Sequence, residues 1–93
     1  MKISFDPDKR RRTLEARGLD FADAVAIFRS RHISQLDDRQ NYGEKRFITY
    51  GYIEDRIVAL VWTERESTRR IISLRKANER EQKKVREALG KFR

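Results

Sequence analysis

Between Asn41 and Glu81 the chain reads NYGEKRFITYGYIEDRIVALVWTERESTRRIISLRKANERE, with arginines recurring at the ends of three apolar runs. Guanidinium groups stay charged and pair bidentately with phosphate oxygens. Placed along one face, they suit a surface that binds a polyanion. They could also stabilise the crowded phosphorane formed when the 2′-hydroxyl of RNA attacks its own backbone. Arg46, Arg65 and Arg75 are the candidates for that phosphate contact. Tyr50 could stack on a base or hydrogen-bond a phosphate. Lys9, Arg39 and Lys76 are further candidates for RNA contact, although Lys76 should point to the opposite face from Arg75. The proton-transfer group is less evident. His32 is the sole histidine, and histidine is the usual acid–base residue near neutrality. Its place at the start of a strand, remote in sequence from the arginines, fits an ordinary edge histidine at least as well. Glu44 could act as a base beside Arg46 or simply form a salt bridge with it. Without cysteine or paired histidines, no metal site is expected, and no cofactor motif is present.

The elements that must carry these residues follow from periodicity and turn chemistry. Met1 to Phe5 alternates as a short strand, with Ile3 and Phe5 on one face. Asp6-Pro7 opens a helix: aspartate can accept from the free amides, and proline at the first helical position loses no hydrogen bond. That helix ends at Gly18, and its only large apolar residue is Leu14, so it lies on the surface. Asp20 caps a second helix, with Phe21, Val25 and Phe28 predicted to face the core. His32 to Leu36 reads as a strand and Asp37 to Gly43 as a polar turn. Strands follow over Arg46 to Ile53, Arg56 to Thr63 and Arg69 to Arg75. The middle one is almost wholly apolar, as a central strand covered on both faces would be. Asn78, with Glu81 three residues on, reads as a capping box opening a last helix whose stripe is Val85, Leu89 and Phe92. The order βααββββα implies one α+β domain over residues 1–93, an antiparallel sheet with helices mainly on one face.

Strand alternation converts register into a face assignment. A tight hairpin at Glu54-Asp55 sets Ile53 opposite Arg56, Tyr50 opposite Ala59 and Arg46 opposite Thr63. A turn over Glu66 to Thr68 sets Arg65 opposite Arg69, Thr63 opposite Ile71, Val61 opposite Ser73 and Ala59 opposite Arg75. One face then gathers Arg46, Ile48, Tyr50, Ala59, Val61, Thr63, Arg65, Arg69, Ile71, Ser73 and Arg75. The other gathers Phe47, Thr49, Val58, Leu60, Trp62, Ile72 and Leu74, the better core. A slip or a bulge would exchange the faces locally.

Composition narrows the partners. In 93 residues, 23 Lys and Arg against 15 Asp and Glu leave a net charge of +8. Such a surplus favours nucleic acid or an acidic protein. Membrane is the weakest alternative, because no strongly apolar amphipathic helix accompanies the basic residues. The N-terminus is too polar for a signal peptide and no apolar run could span a bilayer, so a cytoplasmic location is expected. A charged surface that only confers solubility is the alternative.

The motifs Tyr42-Gly43-Glu44-Lys45-Arg46-Phe47, Thr63-Glu64-Arg65 and Arg70-Ile71-Ile72-Ser73-Leu74-Arg75-Lys76-Ala77, with Glu81, resemble those of the BrnT family of bacterial type II toxins. Phe5-Asp6-Pro7 with Lys9, Gly18 with Phe21 and Ala24, and Asp38-Arg39 fit the same family, so the likeness covers nearly the whole chain. It implies a RelE-like ribonuclease held inactive by a BrnA-like antitoxin. It further implies a two-toxin, two-antitoxin assembly that meets operator DNA through the antitoxin. Family members commonly carry Lys-His-Gly where this chain has Ala16-Arg17-Gly18, and an asparagine where it has Thr13. Three readings therefore stand: an RNA endonuclease, a nonenzymatic nucleic-acid-binding domain, and an inactive subunit that keeps the antitoxin-binding fold.

Overall fold

The computed structural model describes residues 2–90, and its element order is the expected one. Strand β1 (Lys2–Ser4) leads into helix α1 (Pro7–Arg17). A 3₁₀ turn (Phe21–Asp23) runs into α2 (Ala24–Arg29). Strands β2 (Ile33–Asp37), β3 (Arg46–Ile53), β4 (Arg56–Arg65) and β5 (Thr68–Lys76) follow, and α3 (Glu79–Leu89) closes the described chain. Phe92, read as the last residue of the α3 stripe, lies outside the described residues.

Local chemistry sets the helix ends. The Asp6 side chain accepts from the Asp8 amide, and Gly18, with φ 67°, donates its N–H to the Leu14 carbonyl. Only glycine adopts that left-handed cap without a steric cost. No residue of α1 is buried, so packing alone cannot hold it. It is fastened instead by a bidentate pair from Arg10 to Asp20, with Nε–Oδ1 2.7 Å and Nη2–Oδ2 2.9 Å. Arg17 adds a hydrogen bond from Nη1 to the Leu74 carbonyl at 2.9 Å. In the next segment the expected inward set changes. Phe21, Ala24 and Ile27 are fully buried while Val25 and Phe28 are half-buried. The cause is the 3₁₀ turn: three residues per turn align positions three apart, advancing the buried stripe relative to an α-helix begun at Asp20.

The strands form one five-stranded mixed sheet in the order β1-β5-β4-β3-β2. Four strands are antiparallel neighbours, as expected, and β1 lies parallel to β5 at the edge. The β3–β4 register is the predicted one, with Ile53 opposite Arg56 and Tyr50 opposite Ala59. The β4–β5 register agrees only in its distal half, where Val61 meets Ser73 and Ala59 meets Arg75. Near the turn it is displaced by one residue. Glu66 and Ser67, with φ 51° and 65°, make a two-residue connection, so Arg65 meets Thr68 and Glu64 meets Arg69. Two positive φ values match the primed turn whose twist suits a tight hairpin. An irregularity between Val61 and Trp62 absorbs the extra residue and restores the expected pairing.

The main core lies between the sheet and the first two helices, and includes Phe21, Ile27, Val58, Leu60, Ile71 and Leu74. Trp62 stacks on Phe47 with centroids 4.8 Å apart. Its Nε1 donates to the buried Thr49 hydroxyl at 2.8 Å, so this polar pair is satisfied inside the core. Gly51 lets α2 approach β3: an added Cβ would sit 2.9 Å from Cγ2 of Ile27. The third helix covers the opposite face, where Val85 packs with Ile57 and Ala77 beside Tyr50 and Tyr52. Helices thus lie mainly on one face, with α3 alone on the other.

Candidate nucleic-acid interface

The face that α3 partly covers carries most of the predicted site. Along it run Arg46, Ile48 and Tyr50 from β3, their β4 neighbours Ala59, Val61, Thr63 and Arg65, and Arg75 from β5. The polar residues fall into two groups, at opposite ends of the strands. Tyr50 and Arg46 are four positions apart, about 13 Å at the usual strand rise. Ile48, Val61 and Ile72 form an apolar strip between them.

At one end, Glu44 lies between two arginines. Arg65 Nη2 donates to both carboxylate oxygens at 3.2 Å, and Arg46 Nε is 3.5 Å from Oε2. The Arg46 guanidinium also rests over the Tyr42 ring, 4.1 Å from its centroid. Glu44 thus forms salt bridges with both Arg46 and Arg65. Thr63 anchors this end by donating its hydroxyl to the Lys45 carbonyl at 2.6 Å.

At the other end, Arg75 and Tyr50 meet on Glu81. Arg75 Nη1 and Nη2 donate to its two oxygens at 2.8 and 2.9 Å, and the Tyr50 hydroxyl donates to Oε2 at 3.0 Å. The Asn78 amide donates to Oε1 at 2.9 Å, while the Asn78 side chain accepts from the Glu81 amide. The capping box of α3 therefore also fixes the carboxylate that organises this end. The Arg75 hydrogen bonds, aided by Asn78 and Tyr50, hold the Glu81 carboxyl at about 2, well below its ordinary 4.5. Burial, with the hydrogen bond to Glu81, raises the Tyr50 hydroxyl, which stays protonated near neutrality. A cleft of about 420 Å³ opens beside them, lined by Ile33, Gln35, Tyr50, Arg80, Glu81 and Lys84 among others.

Arg39 is held against this face from the loop after β2. Its Nε and Nη2 donate to the buried Asp37 carboxylate at 2.7 and 2.8 Å, and the Tyr42 hydroxyl adds a third contact at 3.2 Å. The Arg39 hydrogen bonds, with help from the Tyr42 hydroxyl, hold Asp37 near 2 against the cost of burying it. Arg39 is close enough to Tyr50 and Arg75 to act on both electrostatically.

Other predicted residues lie elsewhere. Lys9 rides on α1, which is tied to the 3₁₀ turn through Arg10 and Asp20. His32 precedes β2 on the α2 side: its ring meets Phe28 edge-on at 5.7 Å, and Nδ1 is 2.8 Å from the Ser30 carbonyl. Lys76 pairs with Val58 and so faces the main core side, as alternation required. The displaced register also exchanges neighbours on β5. Arg69 and Ile71 turn to the α2 side, where Ile71 joins the main core, and Ile72 joins the strip with Val61. Arg70, opposite Thr63, takes the place on the arginine face expected for Arg69. Sequence reasoning missed Arg70 and Glu81. A two-residue turn would have shifted the register to Arg70. Glu81 was legible as a helix cap and as part of the family motif, but nothing local joined it to Arg75, six residues before it.

A small α+β domain with arginines at both ends of one sheet face, and a cleft under a helix at one of them, has the build of a polyanion-binding protein. The family profile described as ribonuclease toxin, BrnT, of type II toxin-antitoxin system matches residues 5–81, and the chain belongs to that family. Membership carries an RNA substrate and an antitoxin partner with it. No curated protein matches the chain.

Proposed function

We propose that the chain is a metal-independent RNA endonuclease, with its chemistry at the Arg75–Tyr50–Glu81 end of the sheet. The observation that carries this reading is the convergence of Arg75 and Tyr50 on one carboxylate beside an open cleft. Glu81 stands where an anion is already favoured. A scissile phosphate that displaces it would meet the same bidentate guanidinium and a hydroxyl donor. Charge accumulates on phosphate oxygens as the 2′-hydroxyl attacks, so these preorganised donors would bind the transition state more tightly than the ground state. Glu81 takes up a proton only in strong acid, so its role is to orient Arg75 and Tyr50. Arg39, Arg46, Arg65 and Arg70 would hold the flanking backbone, and Lys9 and Lys76 would add charge at longer range. Glu44 keeps Arg46 and Arg65 together. An antitoxin covering this face would exclude RNA directly. Assembly of two toxins with two antitoxins, contacting operator DNA through the antitoxin, is part of the same proposal.

The test is incubation of purified, antitoxin-free chain with RNA in EDTA, beside a folded Arg75→Ala variant. Cleavage by the wild type that falls at least a hundredfold in the variant is the expected outcome. Equal cleavage by both would move the chemistry away from Arg75. A folded wild type that leaves RNA intact would favour the inactive antitoxin-binding subunit. One observation favours that second reading: Arg17, in place of the family's usual histidine, is occupied with the Leu74 carbonyl.

A further inference from the structure

A second hollow, of about 250 Å³, lies on the side of the sheet away from the Arg75 cleft and is lined by Ile3, Val25, Phe28, Arg29 and Arg69. The Arg69 guanidinium lies 3.9 Å from the Phe28 centroid and 4.9 Å from that of Trp62. Its Nε is closed off from water and has no hydrogen-bond partner. Neither Arg29 nor Arg69 forms an ion pair or a side-chain hydrogen bond with another described residue. Arg46, whose Nε is equally enclosed, is paired with Glu44; Arg69 has Glu64 opposite it across β4 and β5 but forms no ion pair with it. Stacking engages the flat face of a guanidinium and leaves its donors, which lie in the plane, able to meet an acceptor.

We propose that this hollow seats an acidic side chain of the antitoxin, as an anchor separate from the RNA-binding face. Two guanidinium groups that form no ion pair leave donors for an anion. The walls supplied by Ile3, Val25 and Phe28 call for an aliphatic stem next to it, which a glutamate or aspartate within an apolar segment has and a nucleic-acid phosphate lacks. A chain of net charge +8 complements an acidic segment, and the family supplies an antitoxin as the partner to carry one. The anchor takes the antitoxin from family membership and does not depend on the nuclease chemistry. An anchor here would let the antitoxin hold the toxin while another part of it covers or leaves the arginine face.

Titration of the full chain with its purified antitoxin tests this, with Arg29→Glu and Arg69→Met compared against Arg12→Glu. Arg12 is exposed on α1 and provides a charge-matched control. Methionine at position 69 keeps an apolar stem over the rings, and circular dichroism checks that each variant is folded. The expected result is a Kd raised at least tenfold by Arg29→Glu and by Arg69→Met, and unchanged by Arg12→Glu. Trp62, the sole tryptophan of the chain, gives a second readout. A Trp-free acidic peptide should shift its emission in the wild type and not in Arg69→Met. Wild-type affinity in both hollow variants would overturn the proposal, as would equal weakening by Arg12→Glu, which would mean diffuse charge attraction. Loss of RNA binding in Arg29→Glu with antitoxin affinity intact would also overturn it and assign the hollow to nucleic acid. Failure of the wild type to cut RNA would leave the antitoxin comparison intact.

Discussion

Glu81 shows how one residue can serve local structure and a site together. It closes the capping box of α3, satisfying an amide at the helix start. The same carboxylate also receives Arg75 and Tyr50 from the sheet. Because its folded pKa, about 2, lies below its ordinary 4.5, the ionised form stabilises the native state. That contribution is complete above about pH 4.5 and is lost as pH falls through about 2. Glu81→Gln should therefore lower unfolding stability at neutral pH by about 1–2 kcal/mol, a figure moderated by the partial exposure of the pair. The gap between variant and wild type should narrow as pH is lowered from 4.5 toward 2. Urea titrations of both proteins across that range check it, and a gap that stays constant would show that the Arg75 pair adds nothing to the fold. Arg69 teaches a related lesson: a guanidinium predicted for the RNA-binding face is stacked on aromatic rings across the sheet.

At the scale of elements, the β4–β5 hairpin decides which arginine faces which way. Its two-residue turn places both Glu66 and Ser67 at positive φ, where side chains with a Cβ are disfavoured. Ser67→Gly should relieve that conflict and raise unfolding stability by roughly 0.5–1 kcal/mol. Thermal unfolding measures the gain, and a fall in Tm would mean that Ser67 contributes a contact that outweighs the backbone cost. Strand limits were largely legible, since apolar alternation and flanking polar residues mark them. Turn length was not, because ERESTR contains no glycine, asparagine or proline to select one register. One residue of difference, recovered at the bulge, was enough to exchange Arg69 with Arg70 and Ile71 with Ile72.

Considered whole, the molecule is a sheet with two unlike sides. One side packs the first two helices on a core that includes Phe21, Ile27 and Leu60, with the Arg29–Arg69 hollow at its margin. The other carries the arginine clusters and only α3. On the first side, α2 packs closely on β3 at Gly51. Gly51→Ala would drive a methyl group to 2.9 Å from Ile27 and force α2 from β3. Overpacking of this kind costs about 1–3 kcal/mol. Denaturant unfolding should show that loss, with hydrogen exchange rising first in α2; an unchanged midpoint would mean that α2 shifts freely. A glycine inside a strand signals such an approach, but nothing local identifies Ile27 as the neighbour.

The sequence by itself determined the element order, the helix caps, the β3–β4 pairing and the basic character of the chain. Each of these follows from residues adjacent in the chain: Asp6 before Pro7, Asn78 before Glu81, and alternation from Arg46 to Ile53. Tertiary structure alone decided that Glu81 joins Arg75 and Tyr50, that Glu44 sits between Arg46 and Arg65, and that His32 falls on the α2 side. It also decided that Arg70, rather than Arg69, shares the face of Arg65. The physical reason is that capping and alternation act over a few residues. A site built across strands depends on turn length and bulge position, which tertiary packing selects.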